Sequence, residues 1–184
     1  MFFIYISEIP SLLNLNPFQT QKQTIGNIVN RYFASSTQNL RKAPWSTQIC
    51  APLPDKVNSN SKIMTSTQKI VEGLWIRGRA VLTKDSEPVV TRKRKKMNSL
   101  HIFKDEYELC VWYAWLFGSE YCIYDIHFSD ENETIIERKI EKNIGHIQKS
   151  LKEVVKVLNN HLMPHEVENM ISSEEEEIVV NLVV

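Results

Sequence analysis

Few residues in this chain have the types and spacing that chemistry needs. His161 and His165 stand four apart, the interval that places two imidazoles on one helix face as metal ligands. Pro164 lies between them and breaks the helix that would align the rings, and no third ligand stands close by. No metal site is therefore expected. Cys50, Cys110 and Cys122 are far apart and lack metal spacing. Cys110 and Cys122 read as buried thiols on neighbouring strands, in a reducing compartment. The 5 glycines form no phosphate-cradling loop, and there is no nucleophile elbow or Cys–His pairing. Neither catalysis nor a cofactor is expected. Arg92-Lys93-Arg94-Lys95-Lys96 is a run of cations able to grip a phosphate backbone, although Asp85 and Glu87 nearby make a solvated loop the plainer reading. The remaining signal is aromatic. Val111 to Phe117 carries 4 rings in 6 positions with no polar residue to alternate against, so it belongs in a core or against a partner. Trp115 and Phe117, just before Gly118-Ser119-Glu120, have the placing of recognition anchors at a strand end. Trp112 and Tyr113 are expected in the core.

The chain must supply elements that position these groups. At 184 residues and a formal net charge of 0, it suits one domain and carries no long-range field toward nucleic acid or anionic lipid. The apolar start, Met1 to Ile6, is short, lacks a basic leader and meets Glu8 and Pro10, so neither a signal peptide nor a membrane span is expected. The sequon Asn132-Glu133-Thr134 has no meaning without export, and a soluble intracellular protein is the expectation.

Phe2 to Ser7 reads as a strand, and Thr20 to Phe33 as a helix with Ile25, Ile28, Val29 and Tyr32 on one side. Ala34 to Asn60 reads as an irregular connection rich in Ser, Gln, Asn and Pro. A short strand over Ser61 to Thr65 is followed by Ile70, Val71, Leu74, Trp75, Gly78, Val81 and Leu82 at spacings of three and four. These predict a helix from Thr67 to Leu82, with a strand pair as the competing reading. Thr83 to Lys96 reads as a loop. Met97–Lys104, Leu109–Phe117 and Tyr121–Phe128 read as strands, the last two joined as a hairpin. Ile136, Ile140, Ile144, Ile147, Leu151, Val154, Val155 and Leu158 predict a long amphipathic helix, capped near Asp130 and Glu133 and ended by Asn159-Asn160-His161 and Pro164. The acidic run Glu174–Glu177 precedes an apolar segment, Ile178–Val184, that suits a terminal strand.

This order resembles a HORMA domain. Tyr121-Cys122-Ile123-Tyr124-Asp125-Ile126-His127-Phe128, the long helix and its Val157-Leu158-Asn159-Asn160-His161 ending resemble the autophagy-related protein 101 family. Trp115-Leu116-Phe117 is similar to that family's Trp-Pro-Phe finger, with leucine in place of proline. Thr67 to Leu82 falls where the family has its central helix. The resemblance implies an α+β fold across residues 1–184: a mainly antiparallel sheet backed by a central helix and a long C-terminal helix, like the open form of the spindle-checkpoint HORMA protein. It implies a non-enzymatic, cofactor-free subunit of the starvation-responsive autophagy-initiation complex, in the cytoplasm and at the phagophore assembly site. Such a subunit pairs with the HORMA domain of autophagy-related protein 13. Ile70, Leu74, Trp75 and Ile76 would meet that partner, and Trp115 and Phe117 would recruit downstream autophagy factors. The rival reading is a nucleic-acid or chromatin-associated adaptor that uses residues 92–96.

Overall fold

A computed structural model of the chain describes residues 2–36, 62–71, 74–95, 100–128 and 135–161. Cys50, Lys96, His165, the expected helix cap at Asp130 and Glu133, the acidic-then-apolar end 174–184 and most of the expected connection 34–60 lie outside them. The architecture is α+β. One mixed sheet is built from β1 (Phe2–Tyr5), β2 (Lys62–Val71), β3 (Leu74–Leu82), β4 (Pro88–Arg94), β5 (Tyr121–Phe128) and β6 (Ile135–Glu141). Among the described residues four α-helices accompany it: α1 (Ile9–Leu12), α2 (Gln21–Ser36), α3 (Lys104–Leu116) and α4 (Ile144–His161), with a 3-10 turn at Ile6–Glu8.

The sheet forks. One edge of β3 pairs antiparallel with β2 along its length. The opposite edge is shared: β1 runs parallel to Leu74–Arg77, and β4 runs antiparallel to Val81 and Leu82 only. Gly78, Arg79 and Ala80 are left between the two tines. β4 then leaves β3 and pairs parallel with β5 from Val89 to Arg94, while β5 pairs antiparallel with β6.

The predicted helix over Thr67–Leu82 is not formed, and the competing strand pair is. Two-residue alternation explains it: Leu74, Ile76, Gly78, Ala80 and Leu82 fall on one buried face of β3. The glycine that weakens a helix is useful here, because α3 crosses directly above it. A Cβ at Gly78 would stand 2.7 Å from Leu116 Cδ2 and 2.8 Å from Ile6 Cδ1.

Leu109–Phe117, expected as a strand, belongs to α3. All residues from Glu108 to Leu116 are buried, so this part of the helix is covered all round and shows no 3.6-residue period. Its sequence therefore reads as a buried run of either kind. Gly118, at φ 68°, stops the helix instead of turning a hairpin, with Ser119 N–H bonded to Ala114 O at 2.9 Å. The predicted strand Met97–Lys104 is also absent where described: 100–103 is irregular and Lys104 begins α3. The long helix begins only at Ile144. Ile136 and Ile140 sit four apart, a spacing that also suits one face of a strand, and they lie on β6. The loop predicted over Thr83–Lys96 contains β4. By contrast, the strand Tyr121–Phe128 forms as predicted, and the expected helix Thr20–Phe33 forms as α2.

The core lies between the sheet and α3, with Trp112, Tyr124, Ile4, Ile76, Ile126 and Ile147 fully buried. α3 and α4 are tied by buried Glu108, which accepts from Trp112 Nε1 at 2.9 Å and lies 2.6 Å from His146 Nε2. Cys110 and Cys122 are both buried free thiols, on α3 and β5. Burial, then the neighbouring Cys110, pushes the Cys122 thiol well up, which leaves it inert. Among the described residues no helix is long and apolar enough to cross a membrane.

Candidate nucleic-acid interface

The residues expected to contact partners are scattered by this fold. Trp115 is 6% exposed, set edge-on against Trp112 with centroids 5.3 Å apart. Phe117 is half-buried and stacks on Tyr113 at 6.2 Å. They end a buried helix, so the chain displays no aromatic finger there. Leu74 and Ile76 are core residues of β3, Trp75 points to the opposite face, and Ile70 is half-buried on β2. These four share no helix face. His161 closes α4, its ring nitrogen Nδ1 2.8 Å from Val157 O. Among the described residues no cluster of three His, Cys, Asp or Glu side chains could hold a metal ion.

The basic run, in contrast, is built into a site. β4 carries it away from β3 to the sheet's rim, where it meets the start of α3 and the segment joining α1 to α2. Together they enclose a cleft of about 1470 Å³. Five cations line it (Arg92, Lys93, Arg94, Lys95 and Lys104) against two carboxylates, Asp105 and Glu106. A chain with no net charge thus gathers a local positive surplus at the carboxyl end of a parallel strand, where open sheets commonly place ligands.

Glu106 organises this surplus. It is the third residue of α3 and accepts the Phe103 backbone N–H at 2.9 Å, capping the helix from within. Arg94 Nη2 donates to Glu106 Oε2 at 2.7 Å and to the Tyr124 hydroxyl at 3.0 Å, and its guanidinium lies 4.9 Å from the Phe103 ring centroid. Burial and the Glu106 carboxylate push the Tyr124 hydroxyl up, so it stays protonated. Arg94 is thereby committed to the protein. Arg92 is held more loosely, with Nε 3.7 Å from Glu106 Oε1, and Lys95 and Lys104 are exposed.

The opposite wall was not legible beforehand. Leu13–Thr20 is tied by Leu15 N–H to Pro10 O at 2.8 Å, by Asn16 Nδ2 to Ser11 Oγ at 3.0 Å, and by Gln21 Nε2 to Leu12 O at 2.6 Å. Asn14 takes a φ of 55°, tolerable for asparagine. Asn16-Pro17 is a turn signal that could have flagged the segment. Nothing in the sequence placed it beside residues 92–95. Glu106 was hidden because the residue capping α3 is Phe103 and not a serine or threonine.

No family model and no curated protein matches the chain. Solved structures do. The alkaline exonuclease LHK-Exo from Laribacter hongkongensis is similar with a TM-score of 0.53 and 8% identity, over 90% of each chain. The protein SSO0001 is similar with a TM-score of 0.49 and 16% identity, over 94% of this chain and 84% of its own. At such identity, the likeness to the exonuclease is one of fold.

Proposed function

We propose that this protein binds nucleic acid, gripping the phosphate backbone in the cleft between β4, α3 and the α1–α2 segment. The observation that carries the reading is the gathering of Arg92, Lys95 and Lys104 at one concave site lined by two carboxylates, Asp105 and Glu106, the second already neutralised by Arg94. Phosphate contacts of this kind supply affinity without sequence preference. That an exonuclease uses the same fold is supporting context, though fold alone does not transfer activity. Binding of a labelled oligonucleotide should weaken with salt, with a log–log slope of roughly −2 for about three phosphate contacts on a single strand. Replacing Lys95 and Lys104 together by Glu should abolish the binding. Failure of the unaltered protein to bind, or binding indifferent to salt, overturns the proposal.

The heterodimer reading, a HORMA-type autophagy subunit paired with autophagy-related protein 13, retains one favourable observation. β2 is an edge strand on which Ile63 and Met64 are 39% and 38% exposed, a surface a partner strand could cover. Co-purification with that partner's HORMA domain tests it, and its absence from the purified complex would remove the reading.

A further inference from the structure

Phe18 is the most exposed large apolar side chain described, at 94%. Its exposure is not looseness. Its backbone N–H donates to Asn16 Oδ1 at 2.8 Å, Pro17 fixes the preceding backbone, and Asn16 is itself held to Ser11. A ring carried into water on a pinned backbone, on the wall of a cation-lined cleft, has an unmet apolar face. The opposite wall carries a second ring, Phe103, 49% exposed and braced by the Arg94 guanidinium. Rings and cations lining one cleft match a ligand that carries both flat apolar faces and anions.

We infer that the cleft takes an unpaired nucleic-acid strand, DNA or RNA, with one base stacked on Phe18 and the adjoining phosphates on Arg92, Lys95 and Lys104. The inference rests on the nucleic-acid reading above and adds the strandedness of the ligand. An intact duplex hides its base faces inside the stack and offers the ring nothing. An unpaired strand exposes them, and stacking on an aromatic side chain is tolerant of sequence. Phe103, already faced by Arg94, extends the platform from the other wall.

The test uses the full chain and three labelled probes of one sequence: a single DNA strand, the same strand as RNA, and a blunt hairpin duplex. The unaltered protein should bind at least one single strand about fivefold or more tighter than the duplex. Phe18→Ala should remove most of that preference while leaving duplex affinity and the salt slope unchanged, since no charge is altered. Being wholly exposed, Phe18 can be replaced without loss of the fold, and an unchanged unfolding midpoint checks this. Phe18→Trp should restore single-strand affinity, and its added indole fluorescence should be quenched on binding. If Phe18→Ala binds single strands as well as the unaltered protein does, or the duplex binds equally well, the stacking inference fails. The Lys95/Lys104 double variant then decides separately whether the backbone reading stands.

Discussion

Glu8 and Glu106 occupy equivalent places in two parts of the molecule. Each is the third residue of a helical turn, each accepts the backbone N–H at the start of that turn at 2.9 Å (Tyr5 in one, Phe103 in the other), and each meets arginine from another element. At Glu8 the match is one to one. Arg31 reaches from α2 in a two-pronged pair, Nη1 to Oε1 at 2.7 Å and Nη2 to Oε2 at 2.6 Å. Its Nη2 also donates to Phe3 O at 3.2 Å, covering the free edge of β1. The charges close on themselves, while Arg31 Nε is left buried without a hydrogen-bond partner among the described residues. At Glu106 two arginines share one carboxylate, a single short bond from Arg94 and a longer approach from Arg92. The surplus positive charge faces the cleft. Where acid and base balance, the pair fastens the fold; where the base is in excess, an incoming anion can complete the set.

Breaking the balanced pair should have the largest effect. Arg31→Ala leaves Glu8, 1% exposed, as a buried charge without its partner, and should cost about 3–5 kcal/mol in urea unfolding. The salt slope of ligand binding should not change, because Arg31 is spent on Glu8 and does not line the cleft. Glu106→Gln should cost less, about 1.5–3 kcal/mol, since it weakens charge-assisted bonds but keeps an acceptor for Phe103 N–H. It should also steepen the salt dependence by freeing Arg92. An unchanged slope there would show that the two pairs do not differ as argued.

The smallest effect lies away from both pairs. Asp125 stands opposite Glu137 on β6, and its Oδ1 is buried without a hydrogen-bond partner among the described residues. Burial, then the facing Glu137, raises its carboxyl above the ordinary range, while His127 lowers it. A carboxyl raised on folding binds more protons in the native state, so its contribution to stability falls as pH rises from the ordinary value of 3.8 through the raised one. Asp125→Asn should remove that fall and gain about 0.5–1 kcal/mol at neutral pH, measured as a shift in the unfolding midpoint.

How much of this could be read from the chain depended on whether each element has a solvated side. β5 is bounded by turn residues, and α2 carries an apolar stripe; both emerge near their expected limits. α3 has almost no solvated side, so its aromatic run lost the signature of a helix and suggested display at a tip instead. β3 was misread because spacings of three and four also contain the even intervals of a strand, and the value of Gly78 lies in Leu116 and Ile6 above it, far away in sequence. The basic run was visible as a run, but the cleft is made by non-local packing. Its positive character depends on Glu106, whose neutralisation no local pattern reveals.

The fork in the sheet has a mechanical consequence. Among the described residues the β1–β2–β3 half and the β4–β5–β6 half are stitched by two paired strand positions, Val81–Val89 and Leu82–Pro88, and the Thr83 N–H to Glu87 O bond beside them, with α3 lying across the seam. Torsion should concentrate along that line, and amide hydrogens beside it should exchange before those in the middle of either half. The cleft takes one wall from the α1–α2 side, anchored on β1, and the other from β4 and α3. Whatever lodges there would act as a staple across the joint, stiffening the molecule at its weakest line.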